Sequence, residues 1–303
     1  MAVYVVGDFL RETRLRKGYT QEEVSYGICT PASLSRIENG MQKPGRLILE
    51  KLFERLGTEN NLFNSFVSKE EMELYLEIQT LIRNVTDGDL HRIEEQIDIV
   101  EKLTQNTSEL ERQSLFWAKG TLAAQKYGNN EKAMEWLMRA IRITLPDFDG
   151  KNPLRNHLLT FDEITIINSI AVRYAENEDL LTAIQLNMWL KEYMENRIVD
   201  GKMKTTKYPM ILYNLSCWLG DENCHKEALK MADEGIEFCV RYGNLALFPL
   251  LIFNKGSALA ELDRTSEARI YLHQSITIFK SMKKDQQVKI ALDWCKTHYG
   301  IVF

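Results

Sequence analysis

Proline, glycine and strand-forming runs are scarce in this chain of 303 residues. It contains only 6 prolines and 16 glycines, and runs in which Val, Ile and Thr alternate with polar residues are absent. Because alternating β-branched residues favour strands and prolines interrupt helices, this composition predicts an all-α protein. Hydrophobic residues make up 45% of the chain, which allows a sizeable core and argues against disorder. The length suits one small domain and one larger one.

Long apolar runs are also missing. No stretch approaches the roughly 20 apolar residues that a membrane-spanning helix needs. The N-terminal sequence "MAVYVVGDFLRET" is apolar only briefly and lacks a basic start, so it does not resemble a signal peptide. We therefore expect a cytoplasmic protein with no membrane partner.

The cysteines and histidines show no metal-binding or catalytic pattern. The 5 cysteines are odd in number, include no C-x-x-C pair and occupy positions where helical spacing favours a small apolar residue. The cysteines are Cys29, Cys217, Cys224, Cys239 and Cys295. The 5 histidines are scattered, and no phosphate-binding, dinucleotide-binding or hydrolase motif occurs. We expect structural thiols, no metal, no cofactor and no enzymatic activity.

Charge is unevenly distributed along the chain. The formal net charge is -5, yet residues 1–66 hold nine Lys/Arg and eight Asp/Glu, a balance of about +1. Within that part a short segment is strongly basic, with Arg11, Arg14, Arg16 and Lys17. A local positive patch on an acidic protein favours a polyanionic partner at one end only.

The stretch from Gly18 to Gly40 predicts two short helices joined by a tight turn. Thr20 can cap the first helix, and "QEE" after it places acidic residues in the first turn. Thr30 can cap the second helix, whose first position Pro31 suits because no amide donor is needed there. We expect this second helix to end at Asn39 and Gly40, with a left-handed residue closing it. The pattern is that of a helix-turn-helix unit.

These residues resemble the phage-repressor-like family of DNA-binding domains. The matching elements are Arg14, "TQEEVS", "SRIENG" and Pro44, and they cover about a fifth of the chain. The resemblance implies that the helix from Pro31 to Asn39 enters the DNA major groove with its N-terminal half nearest the bases. It also implies that Arg14 pairs internally with Glu38.

Roles in DNA recognition follow from position on that helix. Arg36 can donate two hydrogen bonds to guanine, Ser33 can bond a base edge or a phosphate, and Ala32 can contact a thymine methyl group. The predicted phosphate contacts, which set register, are Thr30, Gln21, Lys43 and either Arg16 or Lys17. Because so small a domain reads few base pairs, we expect a homodimer on a two-fold-related operator.

The rest of the chain repeats a helix-pair pattern. The segments "LFWAKGTLAAQKYGNNEKAMEWLMRAIRITLP" and "IFNKGSALAELDRTSEARIYLHQSITIF" align, with Thr121 and Gly256 as small residues of the first helix and Ala133 and Ala268 starting the second. This resembles the tetratricopeptide repeat. We expect a helix-turn-helix domain over residues 1–66, a linker helix over 67–84, and an α-solenoid of tetratricopeptide-like repeats with a C-terminal capping helix over 85–303.

A solenoid of helix pairs presents a concave face lined by the first helix of each pair. Asn168, Asn214 and Asn254 occupy nearly equivalent places in three such helices, and a row of carboxamides can satisfy the backbone of an extended peptide. The alternative interpretation is that the three asparagines are ordinary polar surface residues or residues between helices. Nearby aromatic residues offer pockets or belong to the core. These are Phe161, Tyr174, Tyr208, Tyr213 and Phe253.

A phage-repressor-like head followed by about five degenerate repeats resembles the RNPP family, and within it the PlcR-like regulators. The resemblance implies a transcription regulator controlled by a re-imported signalling peptide, as in quorum sensing, with asparagines in the peptide groove. Two alternatives stay open. The repeats can respond to a protein partner or to no ligand, or the chain can be an adaptor with a vestigial head.

Overall fold

The computed structural model describes residues 6–58, 69–105, 107–154, 156–197 and 201–303. These residues contain helices and no strand, as predicted. The N-terminal head has four helices: α1 (Val6–Arg16), α2 (Gln21–Ser25), α3 (Pro31–Glu38) and α4 (Arg46–Arg55). The following helices are α5 (Lys69–Asp87), α6 (Leu90–Leu103), α7 (Gln113–Gln125), α8 (Asn130–Arg142) and α9 (Phe161–Glu176). A short 3-10 helix, Glu109–Arg112, precedes α7. The last helices are α10 (Leu180–Asn196), α11 (Gly201–Asp221), α12 (His225–Tyr242), α13 (Phe248–Glu261), α14 (Thr265–Ser281) and α15 (Asp285–Tyr299).

The described residues form two compact units, one ending at Asn177 and the other beginning at Glu178. The first unit contains the head together with α5 to α9, and the second contains α10 to α15. Helix α5 covers Lys69–Asp87, whereas the linker helix is predicted over residues 67–84. The predicted boundary at residue 66 falls outside the described residues.

The core of the head is built from one face of each of its helices. Fully buried side chains include Leu10, Leu34 and Leu52, with Phe53 at 1% exposure. Leu15 does not share this buried face with Leu10, because it is 57% exposed. Five residues correspond to about 140° around an α-helix, so Leu15 points away from the face that holds Leu10.

The helix pairs of the repeats pack at close approach, as the alanine positions predict. In the first unit Ala133 is fully buried, and a Cβ on Gly120 would lie 2.9 Å from Leu137 Cγ. In the second unit Ala268 is fully buried, and a Cβ on Gly256 would lie 2.7 Å from Leu272 Cγ. The small residue of α7 is therefore Gly120, and not Thr121 as aligned. The turn between α7 and α8 is one residue longer than that between α13 and α14, which shifts the alignment by one.

Helix α15 covers the end of the second unit, as predicted for a capping helix. Ala291, Cys295 and Ile301 form one buried cluster with Leu272 and Ile276 of α14. Burial raises the pKa of the Cys295 thiol to about 11, as expected of a structural thiol.

The cysteines are all free, and four of them are buried or half-buried. Cys224 is exposed at the start of α12, so its predicted apolar position is wrong. Among the described helices, none is both long and apolar enough to span a membrane.

Candidate nucleic-acid interface and peptide groove

A buried ion pair joins α1 to α3 within the head. Arg14 Nε lies 2.6 Å from Glu38 Oε1 and Arg14 Nη2 lies 2.8 Å from Glu38 Oε2. Arg14 also donates to the carbonyl of Tyr19 at 2.9 Å, which fixes the turn before α2. The hydrogen bonding of the Arg14 guanidinium to the Glu38 carboxylate raises the pKa of Arg14. The predicted internal role of Arg14 is confirmed.

Both helices of the helix-turn-helix unit begin as the sequence predicts. Thr20 Oγ1 accepts from the Glu23 amide at 3.1 Å, and the Glu23 carboxylate accepts from the Thr20 amide at 2.7 Å. Thr30 Oγ1 accepts from the Ser33 amide at 3.1 Å, and Pro31 opens α3. Helix α3 ends at Glu38 with Asn39 as its C-cap, and Gly40 directly after it has a left-handed φ of +69°. These caps satisfy amides that α2 and α3 cannot pair internally.

The outer face of α3 carries the residues predicted to read bases. Ala32 and Arg36 are exposed and Ser33 is half-buried. Arg36 Nη2 donates to Ser33 Oγ at 3.3 Å, and Arg36 Nε donates to Gln42 Oε1 at 3.1 Å. The guanidinium is therefore held between α3 and the segment that follows it. Sequence reasoning missed Gln42, which no helical pattern distinguishes from other polar loop residues.

The predicted phosphate contacts fall into two groups. Arg16, Thr30 and Lys43 are exposed. Gln21 Nε2 donates to Glu38 Oε2 at 2.7 Å, and Lys17 Nζ donates to the carbonyl of Leu56 at the end of α4. Lys17 and Gln21 are thus engaged within the head and only half-buried, whereas Thr30 is exposed although its hydroxyl caps α3.

In the first unit, the predicted groove residues lie on α9. Asn168 is 5% exposed, and Tyr174 lies near Gly150, which has a φ of +95°. Trp117 Nε1 donates to Ser169 Oγ at 3.1 Å, so α7 and α9 are tied together beside Asn168. Asn168 accordingly belongs to a packed helix interface.

In the second unit, two of the predicted groove residues lie on α11 and two on α13. Asn214 and Phe253 are half-buried. Asn254 Nδ2 donates to Ser216 Oγ at 2.7 Å and to Cys217 Sγ at 3.1 Å. The amide nitrogen of Asn254 is therefore used inside this unit.

Tyr208 has a different environment. It is only 3% exposed, and its hydroxyl donates to Glu195 Oε1 at 2.8 Å and contacts Glu234 Oε1. Burial, followed by these carboxylates, raises the pKa of the Tyr208 hydroxyl. Contact with a ligand would require the network around this side chain to rearrange.

Comparison with known proteins identifies relatives for both parts of the chain. The family model described as the RNPP family C-terminal domain matches residues 82–299, and a helix-turn-helix model matches residues 10–59. The uncharacterized HTH-type transcriptional regulator YqaF of Bacillus subtilis (strain 168) is 38% identical over 63 residues. That match covers 20% of this chain and 83% of YqaF.

Two solved structures are similar over nearly the whole chain. PlcR of Bacillus thuringiensis, in complex with the peptide PapR7 and DNA, has a TM-score of 0.64 and 19% identity, with 96% of this chain and 99% of PlcR covered. The Streptococcus dysgalactiae SHP pheromone receptor Rgg2 has a TM-score of 0.50 and 12% identity, with 97% of this chain and 100% of Rgg2 covered. At these identities the similarity establishes a shared fold.

Proposed function

The chain belongs to the RNPP family, and on that premise we propose that it is a sequence-specific DNA-binding transcription regulator controlled by a small signalling peptide. The observation that carries this proposal is the order of its two parts. An RNPP C-terminal domain over residues 82–299 follows a helix-turn-helix head whose α3 presents Ala32 and Arg36 to solvent. We propose that the protein acts in the cytoplasm by binding DNA under the control of the peptide, and that it catalyses no reaction.

DNA recognition uses the N-terminal half of α3 in the major groove. Arg36 donates to guanine O6 and N7, Ser33 bonds a base edge or a phosphate, and Ala32 contacts a thymine methyl group. The exposed phosphate-binding residues are Arg16, Thr30 and Lys43. Gln21 and Lys17 reach phosphates only if they release their partners within the head.

One head reads few base pairs, so we propose a homodimer that places two copies of α3 on a two-fold-related operator. Both recognition helices must meet their grooves at the same time. A ligand that favours one arrangement of the heads then changes the affinity for DNA by mass action.

The peptide occupies the concave face of the repeats, with Asn168, Asn214 and Asn254 as backbone-binding carboxamides. Tyr174, Tyr208 and Phe253 line the side-chain pockets. The PlcR structure contains a peptide and DNA, and this chain shares its fold over 96% of its length. Asn214 and Asn254 are half-buried and Asn168 is 5% exposed, so the first two offer a peptide more exposed surface than the third.

One observation favours the alternative, in which a protein partner, or no ligand, replaces the peptide. Asn168 and Tyr208 are 5% and 3% exposed, so a rigid groove would offer a peptide little of either side chain. A protein partner would instead use exposed surface outside the predicted groove.

The DNA assignment is tested by selecting duplexes from a random library with the full chain and measuring their affinity. We expect Arg36→Ala to weaken binding of a selected duplex by roughly tenfold to a hundredfold, which matches a lost bidentate base contact of about 1–3 kcal/mol. Arg241→Ala, at an exposed site on α12, serves as the matched control. Equal affinity of Arg36→Ala and wild type would refute base reading by Arg36.

The peptide assignment is tested with synthetic peptides from a short secreted precursor encoded beside the gene. Fluorescence polarisation measures peptide binding to wild type, Asn168→Ala and Asn214→Ala. We expect both variants to lose the peptide response while they bind DNA as wild type does. Normal responses in both variants would favour the alternative.

A further inference from the structure

The head rests on a specific part of the first unit. We call the described residues of 144–163 the docking platform; it comprises the connection between α8 and α9 and the first residues of α9. Leu158 of this platform is 3% exposed and belongs to the same hydrophobic cluster as Leu10, Leu52 and Phe53 of the head. The apolar core of the head is thus completed by a residue about 100 positions away in the sequence.

The turn between α2 and α3 approaches the platform closely. Gly27 has a φ of +68°, and a Cβ there would lie 2.1 Å from the Thr144 carbonyl oxygen. The adjacent Tyr26 donates its hydroxyl to Asp147 Oδ2, and its ring centroid lies 4.7 Å from that of His157. Burial and the bond to Asp147 raise the pKa of the Tyr26 hydroxyl to about 12. Only a glycine allows this approach.

Helix α4 contributes an ion pair that is withdrawn from solvent. Arg55 Nη2 lies 2.7 Å from Glu163 Oε1, with both side chains 0% exposed, and it also donates to the Thr144 carbonyl at 3.2 Å. Among the described residues, Arg55 Nε and Nη1 have no hydrogen-bond partner. Glu163 is therefore the carboxylate that balances the buried guanidinium, and its removal leaves a charge in an apolar environment.

A second ion pair lies at the edge of the same contact. Lys51 Nζ lies 2.5 Å from Asp162 Oδ2, whose side chain is 31% exposed. The Phe161 amide donates to Glu54 Oε2 at 3.2 Å. Lys51 and Glu54 of α4 thus both contact the N-terminus of α9. Glu163 also caps α9, because its carboxylate accepts from the Thr160 amide at 2.6 Å.

The contact leaves the reading face of α3 uncovered. The platform touches the α2–α3 turn and α4, whereas Ala32 and Arg36 remain exposed. Arg36 donates hydrogen bonds to two neighbours within the head, Ser33 and Gln42. Docking on the platform therefore does not obstruct the surface that meets DNA.

We propose that the platform is the binding surface for the head of the same chain, and that the head stays docked on it when α3 binds DNA. The head is then oriented by α9. The same helix carries Asn168, about 7.5 Å along the helix axis from Glu163. The DNA-bound part of this proposal rests on the proposed function, whereas the docking itself does not.

Docking is tested by hydrogen–deuterium exchange of the full chain. We expect Glu163→Gln to speed exchange of α4 and α2–α3 turn amides by tenfold or more, because Arg55 loses its counter-charge. Asp162→Asn, at the edge of the contact, should increase the exchange rate of the same amides by a smaller factor. This variant replaces Glu163→Gln in the test if Glu163→Gln does not fold. The control Glu176→Gln removes an ion pair with Arg173 at the opposite end of α9. It should leave the exchange of the α4 amides and of the α2–α3 turn amides unchanged.

Three outcomes would overturn the proposal. Wild-type exchange at α4 in a folded Asp162→Asn protein would show that the platform does not hold the head. Protection that disappears on about hundredfold dilution would assign the platform to the head of a second copy. Faster exchange of residues 144–154 upon saturation with a duplex selected from a random library would show that DNA binding requires undocking. If the chain selects no duplex from the library, the proposed function is contradicted. The hydrogen–deuterium exchange of the DNA-free chain still tests whether the head is docked.

Discussion

Arg14 of α1 and Glu38 of α3 are joined by two hydrogen bonds, at 2.6 and 2.8 Å. Glu38 is 1% exposed and also accepts from Gln21 Nε2 at 2.7 Å, so a single carboxylate links α1, α2 and α3. A buried charge with this many donors fixes the orientation of the helices around it. Ala32 and Arg36 lie on the exposed side of α3, outside this network.

Replacing Glu38 by glutamine should destabilise the head. The change leaves the Arg14 guanidinium buried without a counter-charge, at a cost of about 3–5 kcal/mol. Urea denaturation followed by circular dichroism should show a lower midpoint for Glu38→Gln and an unchanged one for Glu22→Gln, at an exposed position of α2. The double variant Arg14→Met/Glu38→Met should recover much of the loss, and an equally unstable double variant would contradict the charge argument.

Gln42 should matter for DNA binding through Arg36. Its Oε1 accepts from Arg36 Nε at 3.1 Å, so Gln42→Ala frees the guanidinium to adopt conformations that cannot bond a base. We expect a several-fold loss of affinity for a selected duplex, smaller than the loss in Arg36→Ala. In a double-mutant cycle the Gln42 effect should vanish when Arg36 is already alanine. Met41→Ala, at the adjacent 78% exposed side chain, is the control; additive effects of Gln42 and Arg36 would contradict positioning.

The features that the sequence predicts well are local. The caps at Thr20 and Thr30 depend on residues three positions apart, and the close packing of repeats at Ala133 and Ala268 follows helical spacing. The Arg14–Glu38 pair was predicted by resemblance to a family and not by the pattern itself. Hydrophobicity alone does not say which side of a short helix is buried, as the 57% exposure of Leu15 shows.

The contacts that the sequence could not predict join distant segments. Arg55 and Glu163 are 108 residues apart, and neither belongs to a motif that indicates its partner. The need for a glycine at position 27 follows from its φ of +68° and from the nearby Thr144 carbonyl, and neither can be read from the sequence. The asparagine row identified equivalent helix positions, but the partners of Asn254 depend on how α11 packs against α13.

Gly27→Ala should reduce stability more than Gly18→Ala does. Both glycines have a positive φ, +68° and +75°, so either substitution introduces backbone strain of roughly 1–2 kcal/mol. Only at Gly27 would the new Cβ also collide with backbone, 2.1 Å from the Thr144 carbonyl oxygen, whereas nothing lies within 4 Å of a Cβ at Gly18. Thermal unfolding should therefore show a further decrease in Tm for Gly27→Ala. Equal decreases would show that the α2–α3 turn is not held against the platform.

Glu54 should make the stability of the head-to-platform contact depend on pH. Burial raises the pKa of its carboxyl from 4.5 to about 7, opposed by Lys51 and reinforced by Asp162 and Glu50, while the Phe161 amide favours the charged form. The folded chain therefore holds a proton that the unfolded chain releases between these values. Stability falls as pH rises from about 4.5 to 7, by at most about 1.4 kcal/mol per pH unit.

Glu54→Gln should remove this dependence because its amide does not titrate. Urea denaturation between about pH 4.5 and 8 should show that the free energy of unfolding varies less with pH in the variant than in wild type. The two proteins should be nearly equally stable near pH 5, and the variant should be the more stable one near pH 8. Glu131→Gln, at an exposed position of α8, should follow the wild-type profile. A Glu54→Gln profile parallel to wild type would mean that the carboxylate remains charged beside Lys51 throughout this range, with Asp162 and Glu54 sharing a single lysine.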